Sequence, residues 1–500
     1  MNQLSPLCLS PAAFADSLLR ASPDARILDA AARPVTMADL RGEVARLRAL
    51  LSHLPEGPVA LCAAKTPLAL AGLLAILSDG RAYAPLDPAH PEERLTGILA
   101  LLRPVAVLVD GPAAARLAVW AGAEGLPLIA LDAHARPPAR GALPAAVGPE
   151  VTAVLHTSGS TGTPKQVRIA APALVAFNRW VGQEFALTPG DCLLSHAPLA
   201  FDLSFLDVFS GLTAGASLAL ADAETARSGE RLLRLIDSAG VTVVQAAPSA
   251  LALMVRAAEG RRFPAVRAVL FAGEPMPAAT LQAIFATFPA ARITNIYGCT
   301  ETNDTFFYDV PRANTPDPLP LGQPLPYVRH VVMDEAGQPV APGEEGELWV
   351  ACPTLMEGYS DPALNARAFA DWQGVRHYRS NDRVRLGADG LLHFLGRADS
   401  VQKISGHRVD LAEVEAHLAR LPGVVELAVF VTEREGDRRL ECAVATDGRA
   451  LSSLDLRRHA MTGLPAPAIP RRYSIGPDPL PKNSNGKICR RMLARLALAL

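Results

Sequence analysis

A loop rich in hydroxyl groups and closed by a lysine is the feature of this sequence best suited to chemistry. Residues 157–165 read Thr-Ser-Gly-Ser-Thr-Gly-Thr-Pro-Lys and follow an apolar run at 151–155 that is typical of a buried strand. The glycines leave the backbone free for positive φ, while the hydroxyls and the lysine supply the donors and charge that a polyphosphate needs. The spacing does not fit a Walker loop, and a flexible linker would need neither the strand nor the closing Pro-Lys. We predict phosphate contacts from Thr157, Ser158, Gly159, Ser160, Thr161, Gly162 and Lys165.

Three further segments fit the same ligand. They read Tyr-Gly-Cys-Thr-Glu at 297–301, Tyr-Arg-Ser-Asn-Asp at 378–382 with Gly-Arg-Ala-Asp at 396–399, and Pro-Lys-Asn-Ser-Asn-Gly-Lys at 481–487. In order and spacing the four motifs resemble the ANL superfamily of adenylate-forming enzymes. Within it they look most like the amino-acid adenylation domains of nonribosomal peptide synthesis. One Gly-rich loop is a weak signal, but four motifs in order across most of the chain are specific.

The elements that must carry these motifs follow two patterns. Over roughly the first 300 residues, apolar β-rich runs alternate with Ala/Leu-rich helical stretches, as at 59–63 followed by 67–78. This alternation predicts α/β layers with largely parallel sheets. From about residue 320, short alternating strands and turns predict a β-rich subdomain, and the pattern after Asp399 predicts a compact α+β unit.

Chain length and the resemblance together set the expected domain organisation. Five hundred residues are too many for one ordinary core, so we expect at least two domains. The resemblance implies the ANL fold, whose large N-terminal domain of layered α/β subdomains and a β-rich subdomain would occupy 1–396. A hinge at 397–400 would join it to a small mobile α+β C-terminal domain at 401–500.

The composition excludes several classes of protein. Lys and Arg number 48 against 50 Asp and Glu, so the formal net charge of −2 indicates no nucleic-acid or membrane-surface partner. The seven cysteines are far apart and form no Cys-x-x-Cys pair, which favours reduced thiols over a zinc site or disulfides. The N-terminus lacks the pattern of a signal peptide, and the apolar run at 67–77 is too short to span a bilayer. We therefore expect a cytoplasmic protein.

The resemblance implies a reaction in two halves. A carboxylate attacks the α-phosphorus of ATP, giving an acyl-adenylate and pyrophosphate, and a thiol then attacks the acyl carbon and releases AMP. Lys487 matches the family lysine that bridges the substrate carboxylate and the α-phosphate, a task suited to a point charge on a long stem. Thr300 and Glu301 match a pair in which the threonine contacts phosphate and the glutamate holds Mg²⁺, which prefers oxygen ligands.

The same resemblance assigns the contacts of the adenosine group. Tyr297 would stack on adenine, Asn295 would read an adenine edge, and Asp382 would accept hydrogen bonds from the ribose. The family usually has glycine before this aspartate, whereas here it is Asn381, which tolerates left-handed φ better than most residues. The remaining nucleotide contacts implied are Gly273, Glu274 and Arg397.

The C-terminal motifs are expected to act in the second half-reaction. Asp399 matches the position about which the small domain rotates between half-reactions. Lys403 matches a family lysine that acts in the rotated state, and Gly406 belongs to a segment that lines the entry tunnel of the thiol. Two surfaces that alternate at one site would explain why two distant lysines are both needed.

The segment Phe-Asp-Leu-Ser at 201–204 bears on which acid is activated. In amino-acid adenylation domains an aspartate here, which would be Asp202, pairs with the α-ammonium of the substrate, and a carboxylate facing a cation is physically sensible. A helix-capping aspartate is the alternative. The other pocket positions are mostly apolar and favour a small or medium apolar amino acid; they are Leu203, Leu206, Gln245, Leu270, Ala272, Ile296, Asp304 and Thr305.

Residues 297–305 resemble free-standing L-prolyl-carrier-protein ligases of pyrrole-forming pathways, so L-proline is the expected substrate. No phosphopantetheine attachment site follows the last motif, so we expect the acceptor to be a separate, free-standing peptidyl carrier protein bearing that group. Two alternatives stay open. One is a coenzyme A ligase for a small carboxylic acid, against which Asp202 argues. The other is a catalytically silent nucleotide-binding regulator, against which Lys487, Glu301 and Asp382 argue.

Overall fold

The structure is a computed structural model that describes residues 10–20, 23–134, 148, 150–157, 164–397, 401–434, 437–448, 451–482 and 488–499. Contacts divide the chain into two compact units. The large unit comprises residues 1–88, 99–156 and 166–396, and the small unit comprises 89–98, 157–165 and 397–500.

The first third of the chain alternates strands and helices, as its apolar pattern predicts. Thr66 shows why one of these helices begins where it does, because its hydroxyl accepts the Ala69 N–H at 3.1 Å and Pro67 occupies the first turn. The elements are α1 (Pro11–Leu19), β1 (Arg26–Leu28), β2 (Pro34–Thr36), α2 (Met37–Leu51), β3 (Val59–Cys62), α3 (Pro67–Ser78), β4 (Tyr83–Leu86), α4 (Glu92–Leu102), β5 (Ala106–Val109), α5 (Gly111–Ala123), β6 (Leu128–Ala130), β7 (Val151–Thr157) and β8 (Lys165–Ala170).

The middle third repeats this alternation and adds one irregular element. A π-helix at Phe205–Ser210 runs directly into a short α-helix, and such turns are often found at functional sites. The elements are α6 (Ala171–Glu184), β9 (Cys192–Ser195), the π-helix, α7 (Gly211–Ala214), β10 (Ser217–Leu220), α8 (Ala223–Ala226), α9 (Gly229–Ala239), β11 (Val243–Ala246), α10 (Pro248–Ala258), β12 (Ala268–Ala272), α11 (Ala278–Thr287), β13 (Arg292–Cys299) and β14 (Asn303–Asp309).

Two layered sheets result within the described residues. One has nine strands in the order β15-β14-β13-β12-β11-β9-β10-β1-β2, where β15 is Gln323–Pro324. Its edge strands are β15 and β2. Its central strands β10, β9, β11, β12 and β13 are parallel, so the prediction of largely parallel sheets is confirmed. The other sheet has the order β18-β8-β7-β4-β3-β5-β6, where β18 is Gly358–Tyr359.

The β-rich region predicted after residue 320 is a third sheet of the large unit. Antiparallel strands give it the order β16-β17-β20-β19, with β21 beside β20. Its strands alternate buried and exposed side chains where one face is solvated. The elements are β16 (Arg329–Met333), β17 (Glu345–Ala351), α12 (Pro362–Ala368), β19 (Phe369–Trp372), β20 (Val375–Leu386) and β21 (Leu392–Arg397).

The small unit has the α+β composition that the sequence predicts. Its first hairpin turns through Ser405 and Gly406, with φ of 50° and 78°, the left-handed pair that a two-residue hairpin turn requires. Asp410 caps the following helix by accepting the Ala412 N–H at 2.9 Å. The elements are β22 (Val401–Ile404), β23 (His407–Asp410), α13 (Leu411–Leu418), β24 (Val424–Arg434), β25 (Asp437–Thr446), α14 (Ser453–Gly463), β26 (Arg472–Gly476) and α15 (Arg490–Ala499).

Candidate active site

Strand register places several predicted pocket residues on one face of the nine-stranded sheet. Gln245 of β11 pairs with Ser195 of β9 and with Leu270 of β12, and side chains in register on neighbouring strands point to the same face. Ala272 and Ile296 are likewise in register on β12 and β13. The predicted residues that join the same buried apolar cluster are Leu206, Leu270, Ala272 and Ile296, with Leu203 packed against it.

Asp202 lies in the turn that leads into the π-helix. It is half-buried, its carboxylate accepts the Leu203 N–H at 2.9 Å, and its carbonyl accepts the Phe205 N–H at 2.9 Å. The buried Ser204 stabilises this turn, because its hydroxyl donates to the Phe201 carbonyl at 2.6 Å.

The polar members of the predicted pocket differ in what their side chains do. Gln245 is only 4% exposed, and among the described residues its Oε1 has no hydrogen-bond partner. Thr305 is buried and its hydroxyl donates to the Tyr297 carbonyl at 3.2 Å. Asp304 is half-buried, and its charge adds to the effect of burial in raising the pKa of Tyr327. Tyr327 was not identified from the sequence, because no motif contains it.

The turn between β13 and β14 holds the predicted metal ligand. Gly298 is required where it stands, since a Cβ there would lie 2.2 Å from the Asn303 carbonyl oxygen. Thr300 is half-buried in this turn, whereas Glu301 is completely buried and its Oε1 accepts the Tyr359 hydroxyl at 2.6 Å. Tyr359, which the sequence reasoning missed, thus orients the carboxylate.

Whether this turn can bind Mg²⁺ depends on which side chains can serve as metal ligands. Among the described residues, no group of three or more His, Cys, Asp or Glu side chains is placed to hold a metal ion. Mg²⁺ in nucleotide enzymes is usually bound by one or two protein carboxylates together with substrate phosphates. A single oriented carboxylate at Glu301 meets that requirement.

The adenine and ribose motifs meet although they are far apart in sequence. The Tyr297 hydroxyl donates to the Asp382 carboxylate, and Asp382 is 4% exposed. Asn381 has φ of 57°, so the asparagine adopts the left-handed turn for which the family uses glycine. Its N–H donates to the Glu347 carboxylate at 3.2 Å. The structure therefore brings together two side chains that the sequence assigned to one nucleoside.

Three other predicted nucleotide residues lie just after β12 and within β13. Gly273 directly follows β12 with φ of 96°. Glu274 accepts the Ser249 N–H at 3.1 Å, which supplies a partner to a free donor at the start of α10. The Asn295 amide donates to the Pro320 carbonyl at 2.9 Å, so its carbonyl oxygen is the atom able to accept a bond from adenine.

The remaining predicted residues fall outside the large unit or outside the described residues. Thr157 ends β7, Lys165 begins β8, Arg397 ends β21, and Lys403 and Gly406 lie in the β22–β23 hairpin. These five belong to the small unit. The predicted residues outside the described part of the chain are Ser158, Gly159, Ser160, Thr161, Gly162, Asp399 and Lys487.

Comparison with known proteins shows the family to which the chain belongs. A family model described as AMP-binding enzyme matches residues 16–360, and the model of its C-terminal domain matches 413–487. The chain belongs to the family of AMP-binding enzymes. The predicted membership of the adenylate-forming superfamily and the predicted fold class are confirmed.

Several relatives cover most of this chain. An L-proline--[L-prolyl-carrier protein] ligase of Pseudomonas fluorescens is 34% identical over 87% of this chain and 88% of its own length. A dimodular nonribosomal peptide synthase of Bacillus subtilis is 34% identical over 91% of this chain, which spans only 19% of that relative. An artificially fused adenylation–PCP di-domain from Klebsiella oxytoca aligns with a TM-score of 0.77 at 25% identity, covering 93% of each chain.

The search for membrane-spanning elements gave a negative result. In the part of the chain that the structure describes, no helix combines the length and apolar character needed to cross a bilayer.

Proposed function

We propose that this protein uses ATP and Mg²⁺ to activate an amino acid as its aminoacyl-adenylate. It then transfers the aminoacyl group to the phosphopantetheine thiol of a separate peptidyl carrier protein. L-proline is the proposed substrate. The observation that carries the proposal is the position of Asp202, a half-buried carboxylate at the start of the π-helix whose Leu206 lines the apolar cluster with Leu270 and Ile296.

The chemistry of this arrangement suits an amino acid better than an acid without a charge. A carboxylate beside an apolar wall attracts an ammonium group strongly, because little water competes for either charge. The wall formed by Leu206, Leu270, Ala272 and Ile296 would contact a compact apolar side chain. The name of the Pseudomonas fluorescens relative supports proline within this class.

The nucleotide side supplies positioning and charge neutralisation rather than covalent chemistry. Asp382, with Tyr297 donating to it, would bind the ribose hydroxyls. Mg²⁺ bound with ATP would neutralise phosphate charge beside Glu301, whose carboxylate Tyr359 orients. Lys487 would bridge the attacking carboxylate and the α-phosphate, and rotation about Asp399 would bring Lys403 and Gly406 to the site for thiol transfer.

The test is amino-acid-dependent ATP–pyrophosphate exchange with a panel of L-proline, D- and L-alanine, serine, valine and salicylate. Selective exchange with proline is the expected result. Exchange with another amino acid would keep the amino-acid ligase and discard proline, and exchange with salicylate alone would overturn the assignment of Asp202. If ATP binds but no acid releases pyrophosphate, the protein is a nucleotide-binding regulator.

Transfer to the thiol needs a separate assay. A holo carrier protein and free coenzyme A are offered in parallel, and the thioester is detected by mass spectrometry. Loading of the carrier protein is expected, whereas acylation of coenzyme A alone would identify a coenzyme A ligase.

A further inference from the structure

Lys65, which lies outside every motif, donates hydrogen bonds to residues just before Asp202. Lys65 lies in the turn between β3 and α3 and is half-buried, with its ammonium group directed to the end of β9. The ammonium donates to the Ser195 carbonyl at 2.5 Å, to the Ser195 hydroxyl at 3.3 Å and to the Ala197 carbonyl at 2.8 Å. An ammonium group has three N–H donors, and these three hydrogen bonds all go to Ser195 and Ala197.

The same ammonium is attracted by a carboxylate farther along the chain. Asp207, in the π-helix, is 1% exposed, and its negative charge favours the charged form of Lys65. Burial lowers the pKa of Lys65 to about 8 even though Asp207 and Asp222 oppose this effect. Burial raises the pKa of Asp207 to about 7, against the effects of Lys65 and the Ser195 hydroxyl. Each group thus stabilises the charged form of the other.

These contacts enclose the candidate substrate-binding aspartate. Asp202 lies between Ala197, which Lys65 holds by its carbonyl, and Asp207, which Lys65 holds by its charge. Lys65 follows β3 of the seven-stranded sheet, whereas the segment at 197–207 follows β9 of the nine-stranded sheet. A single cation therefore donates a hydrogen bond at one end of residues 197–207 and attracts the carboxylate at the other end.

We infer that Lys65 is a positioning residue for the amino-acid substrate, acting through the placement of Asp202. This inference rests on the proposed function, because it takes Asp202 as the partner of the α-ammonium group. Lys65 does not touch the substrate in this account. It holds the backbone so that the Asp202 carboxylate faces the pocket wall and does not swing toward solvent.

The test is the KM for the amino acid in pyrophosphate exchange, with L-proline as the probe or, failing that, the panel amino acid that the wild-type protein uses. Lys65→Met keeps the side-chain length and removes the charge. We expect a rise in this KM of roughly tenfold to 100-fold, with the KM for ATP changed less than about threefold. Lys65→Arg should recover part of the loss.

A double-mutant cycle separates positioning from general destabilisation. If Lys65 acts through Asp202, then Lys65→Met should weaken amino-acid use much less in an Asp202→Asn background than in the wild type. Independent structural damage would instead add its full effect in both backgrounds.

Arg81→Met is the matched control. Arg81 is also a buried cation that pairs with a carboxylate, Asp79 at 2.6 Å, and donates to a backbone carbonyl, Leu54 at 2.9 Å, in the same unit. This variant should lower the melting temperature without changing the KM for the amino acid. If Lys65→Met does not fold, Asp207→Asn releases the other end of the segment and is expected to raise the same KM.

The outcomes distinguish the inference from the function on which it rests. No exchange by the wild-type protein with any amino acid overturns the proposed function and the inference together. Exchange by the wild type with an unchanged amino-acid KM in Lys65→Met, or in Asp207→Asn where it serves as the substitute, overturns the inference alone. Additive effects in the cycle also overturn it.

Discussion

The two sides of the candidate site are held in different ways. On the nucleotide side, polar side chains from separate segments bind each other directly, as Tyr297 does with Asp382 and Tyr359 with Glu301. On the amino-acid side, apolar residues from the π-helix and from strands β12 and β13 pack into one buried cluster, and the polar residue Gln245 is in register with Leu270 of this cluster. The first side is fixed by hydrogen bonds between side chains, and the second by sheet register and packing.

This difference determines which substitutions each side of the site can tolerate. A hydrogen-bonded pair loses its function when either partner changes, so the residue types on the nucleotide side are constrained. Apolar surfaces tolerate substitutions of similar volume, so the amino-acid side can change its substrate without disturbing the fold. Changes on the nucleotide side should therefore reduce catalysis with every amino acid, and changes on the other side should alter the choice among them.

The largest effect is expected from the proposed catalytic cation, Lys487. Lys487→Ala removes the charge proposed to bridge the carboxylate and the α-phosphate, so pyrophosphate exchange should fall by about 10²–10³-fold or more. Lys482→Ala is the control, because Lys482 pairs on the surface with Glu426 at 2.7 Å and such pairs contribute little. Full exchange by Lys487→Ala would show that the lysine is wrongly assigned.

A smaller loss is expected from the tyrosine that orients Glu301. Tyr359→Phe leaves the buried carboxylate without this donor at a cost of about 1–3 kcal/mol, so exchange should fall roughly tenfold and more Mg²⁺ should be needed for half-maximal rate. Tyr378→Phe is the matched control, since it removes the neighbouring hydroxyl, which lies 3.5 Å from that of Tyr359, and leaves the bond from Tyr359 to Glu301 in place. Equal effects of both variants on the Mg²⁺ requirement would contradict this account of Glu301.

Gln245→Leu tests the amino-acid side of the site, because leucine and glutamine have side chains of similar volume. Replacing a buried amide whose Oε1 has no partner among the described residues should stabilise the protein by about 1 kcal/mol, measured by thermal unfolding. The KM for ATP should stay constant while the order of preference in the amino-acid panel changes. An unchanged order would place Gln245 outside the pocket.

The smallest effect on activity is expected from an ion pair at the start of β9. Burial raises the pKa of Asp191, but bonds from Arg267 and Thr242 outweigh it and bring the pKa to about 2. Because the unfolded value is about 4, the carboxylate stabilises the fold above that pH and this contribution is lost as the pH falls toward about 2. Arg267→Met should thus be less stable than the wild type near neutral pH, with a difference that shrinks on acidification and with unchanged exchange. A difference in melting temperature that is constant with pH would contradict this assignment.

The sequence predicted the fold well, for identifiable reasons, and the roles of the motif residues stay predictions. Apolar periodicity located α3 at Pro67–Ser78, and the tolerance of asparagine for left-handed φ anticipated the turn at Asn381. Local patterns and ordered motifs report on such features because their signals lie within a few neighbouring residues. A strand end differed by one residue, as for β3, which ends at Cys62 where the apolar run extends to residue 63.

Residues that act through tertiary contacts could not be found in this way. Tyr359 meets Glu301 across 58 positions, and Lys65 meets Ser195 across 130. Neither lies in a motif, and a lysine before a helix or a tyrosine in a short strand has no distinctive local pattern. Only the pairing of sheets shows which distant residue each side chain reaches.

The most direct measurement of the central claim compares L-proline with cyclopentanecarboxylate, which has the same ring without the ammonium group. The specificity ratio in pyrophosphate exchange is measured for the wild type and for Asp202→Asn. We expect the wild type to prefer proline by about 100-fold or more and the variant to lose most of this preference, because removing one partner of a desolvated charge pair costs about 2–5 kcal/mol. A wild-type protein that activates both acids equally, or a variant that keeps the full preference, would contradict the assignment of Asp202 to the substrate ammonium group.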